Sequence, residues 1–212
     1  MKYLIISILI LIGSGLYAQA NWELVDQEED ITVYVRKQEG SQIKEVKIEG
    51  QIKCELSELV KALEDVEGQT AWVESTIKAT ILDKQDAAHF IFYQSTDMPY
   101  PVKDRDVVLR YSRQQDPNTK TVTIEFRNVE GQKDIHDDYV RIPDIYSGYT
   151  LKPDGAGHVS LDYILKIDPG GKMPKWVINM AITKGPIDTI RSLFDRIKSG
   201  HYKGVIVEGV TN

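Results

Sequence analysis

The sequence predicts an α+β fold, in which a curved antiparallel sheet is covered by a long C-terminal helix. Segments that alternate apolar and polar residues fill most of the chain after residue 20, and an amphipathic helical stripe follows them. The two parts join at residues 168–179, where two glycines permit a tight reversal and Pro174 suits a first helical turn. A strongly curved sheet of this size leaves space beneath the helix unless large side chains fill it.

About nine strands are predicted from the alternation. Within residues 43–52, for example, Val46 and Ile48 lie on one face, and Lys47 and Glu49 lie on the other. The predicted strands are residues 22–26, 31–36, 43–52, 76–83, 88–95, 107–112, 121–128, 146–152 and 159–167. Turn-forming residues separate them, as at Asp116-Pro117-Asn118.

Two helices are predicted from apolar residues at helical spacing. The first is short, runs from Leu56 to Val66 and stops at Gly68. The second follows Pro174, and its apolar stripe consists of Trp176, Met180, Thr183, Ile187, Ile190, Phe194 and Ile197. Pro186 removes a backbone donor inside this helix, so a kink or pause is expected near residues 182–185, which could act as a hinge.

The first twenty residues have the layout of a secretory signal peptide. Lys2 is followed by an apolar run that is too short to span a bilayer, and small residues precede the expected cleavage point. We therefore expect residues 1–20 to be removed and residues 21–212 to form one exported domain, periplasmic or secreted. Cys54 is the only cysteine, so the exported domain has no internal disulfide, and this side chain is expected to be a small buried hydrophobe.

Composition and motifs argue against several functional classes. A formal net charge of −6 argues against a nucleic-acid partner. The four histidines are scattered without metal-ligand spacing, and the sequence has no nucleophile elbow or phosphate-binding loop. The cluster Asp134, His136, Asp137 and Asp138 is interpreted as a solvated loop. We therefore predict no metal, no cofactor and no catalytic residue.

Several motifs, in their order along the chain, resemble the START family of lipid-transfer domains. They are Trp22-x-Leu24, Ile31-x-Val33-Tyr34-x-Arg36, Tyr100-Pro101-x-x-x-Arg105-Asp106, Gly148-Tyr149 and Asp168-Pro169-Gly170-Gly171 to Pro174-x-Trp176. The resemblance extends from residue 22 to about residue 198. It implies a helix-grip fold, in which the C-terminal helix closes a hydrophobic tunnel that holds one lipid-like molecule.

The resemblance also implies positions for a ligand site. Residues 96–104 would form the loop at the tunnel mouth, where Met98 and Tyr100 would present apolar surface to the ligand and, transiently, to a membrane. Arg105 would face inward, toward a carboxylate inside the tunnel or toward a polar ligand headgroup, and a purely structural ion pair is the alternative. The candidate carboxylates are Asp86, Asp97 and Asp162, whereas Asp106 is expected to support the local turn.

Aromatic residues on the predicted strands and helix could line such a tunnel, although core packing is their commoner role. The predicted ligand-binding residues are Trp72, Tyr93, Met98, Tyr100, Arg105, Tyr163, Trp176 and Met180.

Three functions follow in order of preference: an exported lipid-binding or lipid-transfer module, an enzyme of the hydrolase or cyclase type on the same fold, and an interaction domain with a filled core.

Overall fold

Ten strands form a single sheet in the computed structural model, which describes residues 22–28, 30–37 and 44–212. The predicted signal peptide lies outside these residues and stays a prediction. The strands are β1 (Glu23–Gln27), β2 (Ile31–Lys37), β3 (Lys44–Lys53), β4 (Thr76–Lys84), β5 (His89–Thr96), β6 (Asp104–Gln115), β7 (Val122–Asn128), β8 (Tyr139–Arg141), β9 (Asp144–Pro153) and β10 (His158–Asp168).

The sheet is antiparallel along its main path, in the order β1-β2-β3-β10-β9-β7-β6-β5-β4. The predicted α+β class is confirmed, and each of the nine predicted strands is present with ends shifted by a few residues. The tenth strand, β8, was not predicted, because three residues are too few to show alternation. It pairs in parallel with the start of β6, where Val140 lies opposite Arg105.

Alternation along β10 shows how the sequence sets the two faces of the sheet. Val159, Leu161, Tyr163 and Leu165 are buried, and the residues between them are only partly buried. β10 pairs with β3 on one side and β9 on the other over nearly its whole length. This strand therefore carries a continuous apolar row through the middle of the sheet.

Two helices precede β4, and a three-part helix follows β10. Helix α1 (Leu56–Glu64) is followed by a short 3-10 helix, Glu67–Ala71. The C-terminal helix consists of α2 (Lys175–Asn179), a π-helical turn (Met180–Lys184) and α3 (Gly185–Lys198). The predicted irregularity before Pro186 is confirmed and takes the form of this π turn. Pro174, predicted in the first helical turn, instead precedes it as the N-cap residue, and its carbonyl accepts from the amides of Val177 and Ile178.

The π turn also changes which residues the helix buries. Ile187, Ile190, Phe194 and Ile197 are buried as predicted. Before the turn, however, Val177 is buried and Trp176 is 54% exposed. A π turn adds one residue to the helical repeat, so the apolar stripe before it is rotated relative to the stripe after it.

Ion pairs tie α3 to the first strand of the sheet. The Arg191 guanidinium contacts Asp26 at 3.2 Å and also pairs with Glu28. Within the helix the same group contacts Asp188. Such partly exposed pairs are each worth little, but together they fix the helix at this edge.

Gly50 on β3 lets α3 approach the sheet closely. A Cβ atom at this position would lie 2.9 Å from Cζ of Phe194 and 3.2 Å from the carbonyl oxygen of Asp30. We expect Gly50→Ala to lower the free energy of unfolding by about 1 to 3 kcal/mol, because the buried ring must move. Urea unfolding measures this, and Phe194→Leu in the same chain should restore part of the loss. A Gly50→Ala protein as stable as the wild type would show that the ring adapts freely.

The N-terminus of α1 is capped by a residue far away in sequence. The Ser57 amide donates to Oδ1 of Asn212 at 2.8 Å, and the Asn212 amide group donates to Glu55. We expect Asn212→Ala to destabilise the fold by about 1 kcal/mol, the usual cost of losing an asparagine cap. Thermal unfolding measures the change, with the exposed turn residue Asn118→Ala as the control. Equal losses in the two variants would contradict the capping role.

Cys54, predicted to be a buried hydrophobe, is only partly buried, although it packs against the core. Burial is the main cause that raises the pKa of its thiol to about 12, with Glu58 and Glu55 adding to the shift. The thiol is therefore protonated and unreactive at neutral pH. Within the described ranges, none of the helices has the length and apolar content needed to cross a bilayer.

Candidate ligand cavity

A cavity of about 290 Å³ lies between the sheet and the C-terminal helix. Strand β10 contributes Tyr163, Leu165 and Ile167 to its wall, which are alternate residues on one face. The opposite wall includes Met180 from the π turn and Pro186 from α3. The space expected beneath the helix is therefore present, and its wall is mainly apolar.

Aromatic rings form a continuous part of this wall. The ring of Phe126 lies edge-on to Phe92 and to Tyr149, with ring centroids about 6 Å apart. Tyr149 in turn lies 4.6 Å from Tyr163, measured between ring centroids. These rings come from neighbouring strands, so the aromatic surface is fixed by the sheet and not by loops.

Three residues that carry hydroxyl groups lie in this part of the wall. Ser147 and Tyr149 come from β9 and Tyr163 from the adjacent β10, and all three line the cavity. Burial raises the pKa of Tyr149 well above its usual value and raises the pKa of Tyr163 to about 12. Both phenols are therefore neutral at physiological pH. We call Ser147, Tyr149 and Tyr163 the hydroxyl cluster.

The raised pKa of Tyr163 makes stability depend on alkaline pH. The unfolded chain loses this phenolic proton near pH 10, whereas the folded protein holds it to about pH 12, so the folded state loses stability as pH rises through this window. We expect Tyr163 alone to contribute a loss of about 1 kcal/mol between pH 9 and pH 11. Urea unfolding across this range should show a shallower fall in Tyr163→Phe than in the control Tyr100→Phe, whose side chain is 94% exposed. Identical slopes would contradict the assignment.

Arg105 lies at the end of the cavity nearest α2 and is almost completely buried. Its Nε donates to the carbonyl of Pro169 at 3.2 Å, and Nη2 donates to the carbonyl of Gly170 at 3.0 Å. Nη1 donates to the carbonyl of Lys103. Arg105 therefore binds the loop before α2 to the start of β6, and burial lowers its pKa.

The carboxylates predicted to pair with Arg105 do not form an ion pair with it in the described residues. Asp86 contacts His89 at 3.0 Å, and Asp162 contacts Lys152 at 2.7 Å. Asp97 lies on the cavity rim. Asp106, expected to support a local turn, is instead buried and binds Arg141 through both carboxylate oxygens. The ion pair at this position is therefore formed by Asp106, the residue next to Arg105. The two residues have different partners because successive strand residues face opposite sides of the sheet.

The rim of the cavity is polar and exposed. It is formed by Glu74 and Ser75 after the 3-10 helix, Asp97 after β5, and Lys184 and Asp188 on the C-terminal helix. The Glu74 amide donates to the Thr189 hydroxyl at 3.1 Å, which links the first of these segments to α3. Lys184 and Asp188 form an ion pair, which raises the pKa of Lys184.

The structure brings five of the eight predicted ligand-binding residues to the cavity wall: Trp72, Met98, Arg105, Tyr163 and Met180. The other three lie elsewhere. Tyr93 lies between Phe92 and Gln94, which face the cavity, so its ring points to the other side and contacts Lys133. Tyr100 and Trp176 are exposed on the surface.

Sequence reasoning missed Ser147, Tyr149 and Phe126 as cavity residues. A usable signal was present, because alternation on β7 and β9 predicts which residues share a face. What the alternation lacked was the pairing register, which places Tyr149 between Ile124 and Tyr163.

The acidic loop of residues 134–138 lies on the surface. His136 contacts Asp138 at 3.2 Å, and both side chains are largely exposed. Among the residues that the structure describes, no group of three or more histidine, cysteine or acidic side chains is arranged to hold a metal ion.

Comparison with known proteins gives a consistent result. The family model for the START domain matches residues 10–200. An uncharacterized protein of Pseudomonas aeruginosa is 27% identical over 82% of this chain and 85% of its own, and mouse phosphatidylcholine transfer protein is 21% identical over 87% of each chain. The crystal structure of a STAR-related lipid transfer protein from Xanthomonas axonopodis superposes with a TM-score of 0.76 at 28% identity, covering 84% of this chain and 98% of that one. The chain therefore belongs to the START domain family and has its helix-grip, lipid-binding fold.

Proposed function

We propose that this protein is an exported binding protein, which holds one hydrophobic small molecule in the cavity and carries it. The observation that supports this most directly is the cavity itself, which is walled by aliphatic and aromatic side chains and closed by the C-terminal helix. Burial of about ten methylenes would contribute about 8 kcal/mol before the costs of ordering, so such a wall is sufficient for useful affinity.

The size of the cavity favours a compact ligand. Pockets for small molecules usually span about 300 to 1,000 Å³, and this one, at about 290 Å³, is at the lower limit. A single hydrocarbon chain or a small ring system suits this space. A ligand with two acyl chains would require the sheet and helix to separate further.

We further propose that the protein is not an enzyme. The groups that line the cavity include hydrocarbon, neutral phenols, hydroxyl and amide side chains, and an arginine that donates three hydrogen bonds to backbone carbonyls. This set suits binding and orientation better than proton transfer. Steady turnover of a bound hydrophobic ester or polyketide by the purified protein would favour the enzymatic alternative.

Export and membrane contact are parts of the same proposal. The apolar leader in residues 1–20 supports export, and N-terminal sequencing of the product released by the cell tests it. The exposed rings of Tyr100 and Trp176 support transient contact with a membrane. Co-sedimentation with neutral phosphatidylcholine vesicles should weaken in the Tyr100→Ala/Trp176→Ala variant and not in a Tyr34→Ala control.

Displacement of a fluorescent fatty acid tests the binding function itself. The purified protein should enhance the emission of the probe and release it when an unlabelled single-chain lipid is added. No enhancement with fatty acid, sterol or lysophospholipid probes would contradict the proposal.

A further inference from the structure

A buried glutamine lines the cavity from the 3-10 helix. Gln69 is 4% exposed, and it is the one buried residue of the five in that helix. Its backbone is held on both sides: its amide donates to the Val66 carbonyl at 3.2 Å, and its carbonyl accepts from the amides of Trp72 and Val73. The turn therefore fixes the position of Gln69 on the cavity wall.

The side-chain amide of Gln69 has no hydrogen-bond partner in the part of the chain that the structure describes. The polar side-chain atoms that are buried without a partner and without contact to open space belong to Ser57, Glu64, Trp72, Tyr111 and Arg113. Gln69 is not among these residues, so its amide oxygen and nitrogen border open space. Since Gln69 lines the cavity, that space is the cavity. A buried amide without a partner is uncommon in folded proteins.

The second amide side chain on the cavity wall is Gln94, and it is engaged in the fold. Its Nε2 atom donates to the Thr76 hydroxyl at 2.8 Å, which links β5 to β4. The amide of Gln69 forms no such link. A buried polar group that the fold does not use stabilises nothing by itself, so the group that it matches is expected to come from a ligand.

The chemistry of the amide defines the matching group. A glutamine side chain offers two N–H donors and a carbonyl acceptor. A ligand group that only accepts, such as a carboxylate, leaves the buried carbonyl unmatched, and a group that only donates leaves the nitrogen unmatched. An alcohol or a primary amide both donates and accepts, so it satisfies both halves of the Gln69 side chain.

The charges around Gln69 favour an uncharged group. The ionic residues in the adjoining segments are acidic: Glu74 follows the same turn, and the amide of Asp97 donates to the Ser75 carbonyl at 2.8 Å. A carboxylate or phosphate at Gln69 would therefore lie close to like charges. Glu74 and Asp97 are exposed, so a ligand ammonium is better held at the rim, where it stays in water, than at Gln69.

Arg105, a cation on the cavity wall, lies apart from the Gln69 segment. Thr76 at the start of β4 is opposite Thr96 on β5, and Thr96 is opposite Arg105 on β6. Two strand spacings place the Cα atoms of Thr76 and Arg105 about 10 Å apart. An anionic headgroup is therefore drawn toward Arg105 and away from Gln69.

From these observations we infer that Gln69 determines ligand specificity, and that it selects an amphiphile whose polar group is uncharged and both donates and accepts a hydrogen bond, as an alcohol or a primary amide does. The inference rests on the proposed binding function and specifies its ligand class.

A matched pair of ligands tests it. Dissociation constants for 1-decanol and for decanoate at pH 8 are measured by titration calorimetry on the wild-type protein and on Gln69→Met, which keeps the length of the side chain and removes the amide. We expect the affinity for 1-decanol to fall about fivefold to tenfold and that for decanoate to change by less than about twofold. The thermal midpoint should not fall, because the amide has no partner in the fold. Gln94→Met is the control and should leave the ratio of the two affinities unchanged.

Each other outcome has a defined meaning. If the two ligands lose affinity equally in Gln69→Met, or if neither changes, Gln69 does not select an uncharged group and the inference is wrong. A marked loss of stability would assign the amide to the fold and also contradict it. If neither ligand binds the wild-type protein, the proposed binding function fails and the inference fails with it. Gln69→Ala, with a smaller side chain, should change the ratio in the same direction should methionine not fit the wall.

Discussion

Arg105→Ala is expected to lower the free energy of unfolding by about 3 kcal/mol, because the buried guanidinium donates hydrogen bonds to three backbone carbonyls. Two of these carbonyls, from Pro169 and Gly170, lie in the turn that leads into α2. Gly170 and Gly171 both have positive φ angles, so this turn depends on residues that contribute no side-chain contacts of their own. We therefore expect the start of the C-terminal helix to loosen and ligand exchange to accelerate.

Urea unfolding and stopped-flow ligand release measure these two effects. Arg110→Ala is the matched control, since Arg110 lies on the same strand but is exposed, and it should change stability by no more than about 0.5 kcal/mol. Arg105→Lys should recover only part of the loss, because an ammonium cannot reproduce the forked donor geometry. Wild-type stability in Arg105→Ala, together with lost ligand binding, would show that Arg105 serves the ligand and not the fold.

Leu165→Trp is expected to reduce ligand affinity by at least about tenfold, because the larger ring occupies space that the ligand needs. Leu165 is 7% exposed and lies on β10 between the hydroxyl cluster and Arg105, with its side chain on the cavity wall. A ring that enters empty space avoids the usual cost of overpacking, so stability should change by less than about 1 kcal/mol.

The control for this change is Leu82→Trp on β4, where the side chain is exposed and the cavity is not affected. Fluorescent probe displacement measures affinity, and thermal unfolding measures stability. A Leu165→Trp protein that loses about 3 kcal/mol or more would indicate a tightly packed interior at this position. Unchanged affinity would place the ligand elsewhere.

Short-range pattern was enough to predict most of the fold. Alternation identified strands such as β10 because one face of the sheet is buried and the other is not. Pro186 identified the irregular part of the C-terminal helix because a missing amide has a local effect. The short strand β8 could not be found in this way, since its pairing partner, not its pattern, makes it a strand.

The details of the site depended on contacts that the sequence does not contain. The π turn rotates the helix face before it, so Trp176, predicted on the buried stripe, is exposed. Arg105 is buried as predicted, but two of its three carbonyl partners belong to a loop more than sixty residues away. Tyr149 and Tyr163 meet because β9 and β10 pair in one register, and a shift of one residue would have separated them.

The alternation of apolar and polar residues also could not predict the volume of the cavity. The same apolar residues could have filled the interior completely, as in an interaction domain without a ligand. Whether these residues fill the interior depends on the distance between the C-terminal helix and the sheet. Contacts such as the one between Gly50 and Phe194 help to set this distance.

Native mass spectrometry of the protein purified without detergent tests the central claim most directly, namely that the cavity holds one hydrophobic molecule. We expect a complex of one protein with one small molecule, which leaves on organic extraction and is identified as a compact hydrophobic lipid. A protein that is empty as purified, and stays empty after incubation with fatty acids, hydroxy fatty acids and sterols, would contradict it.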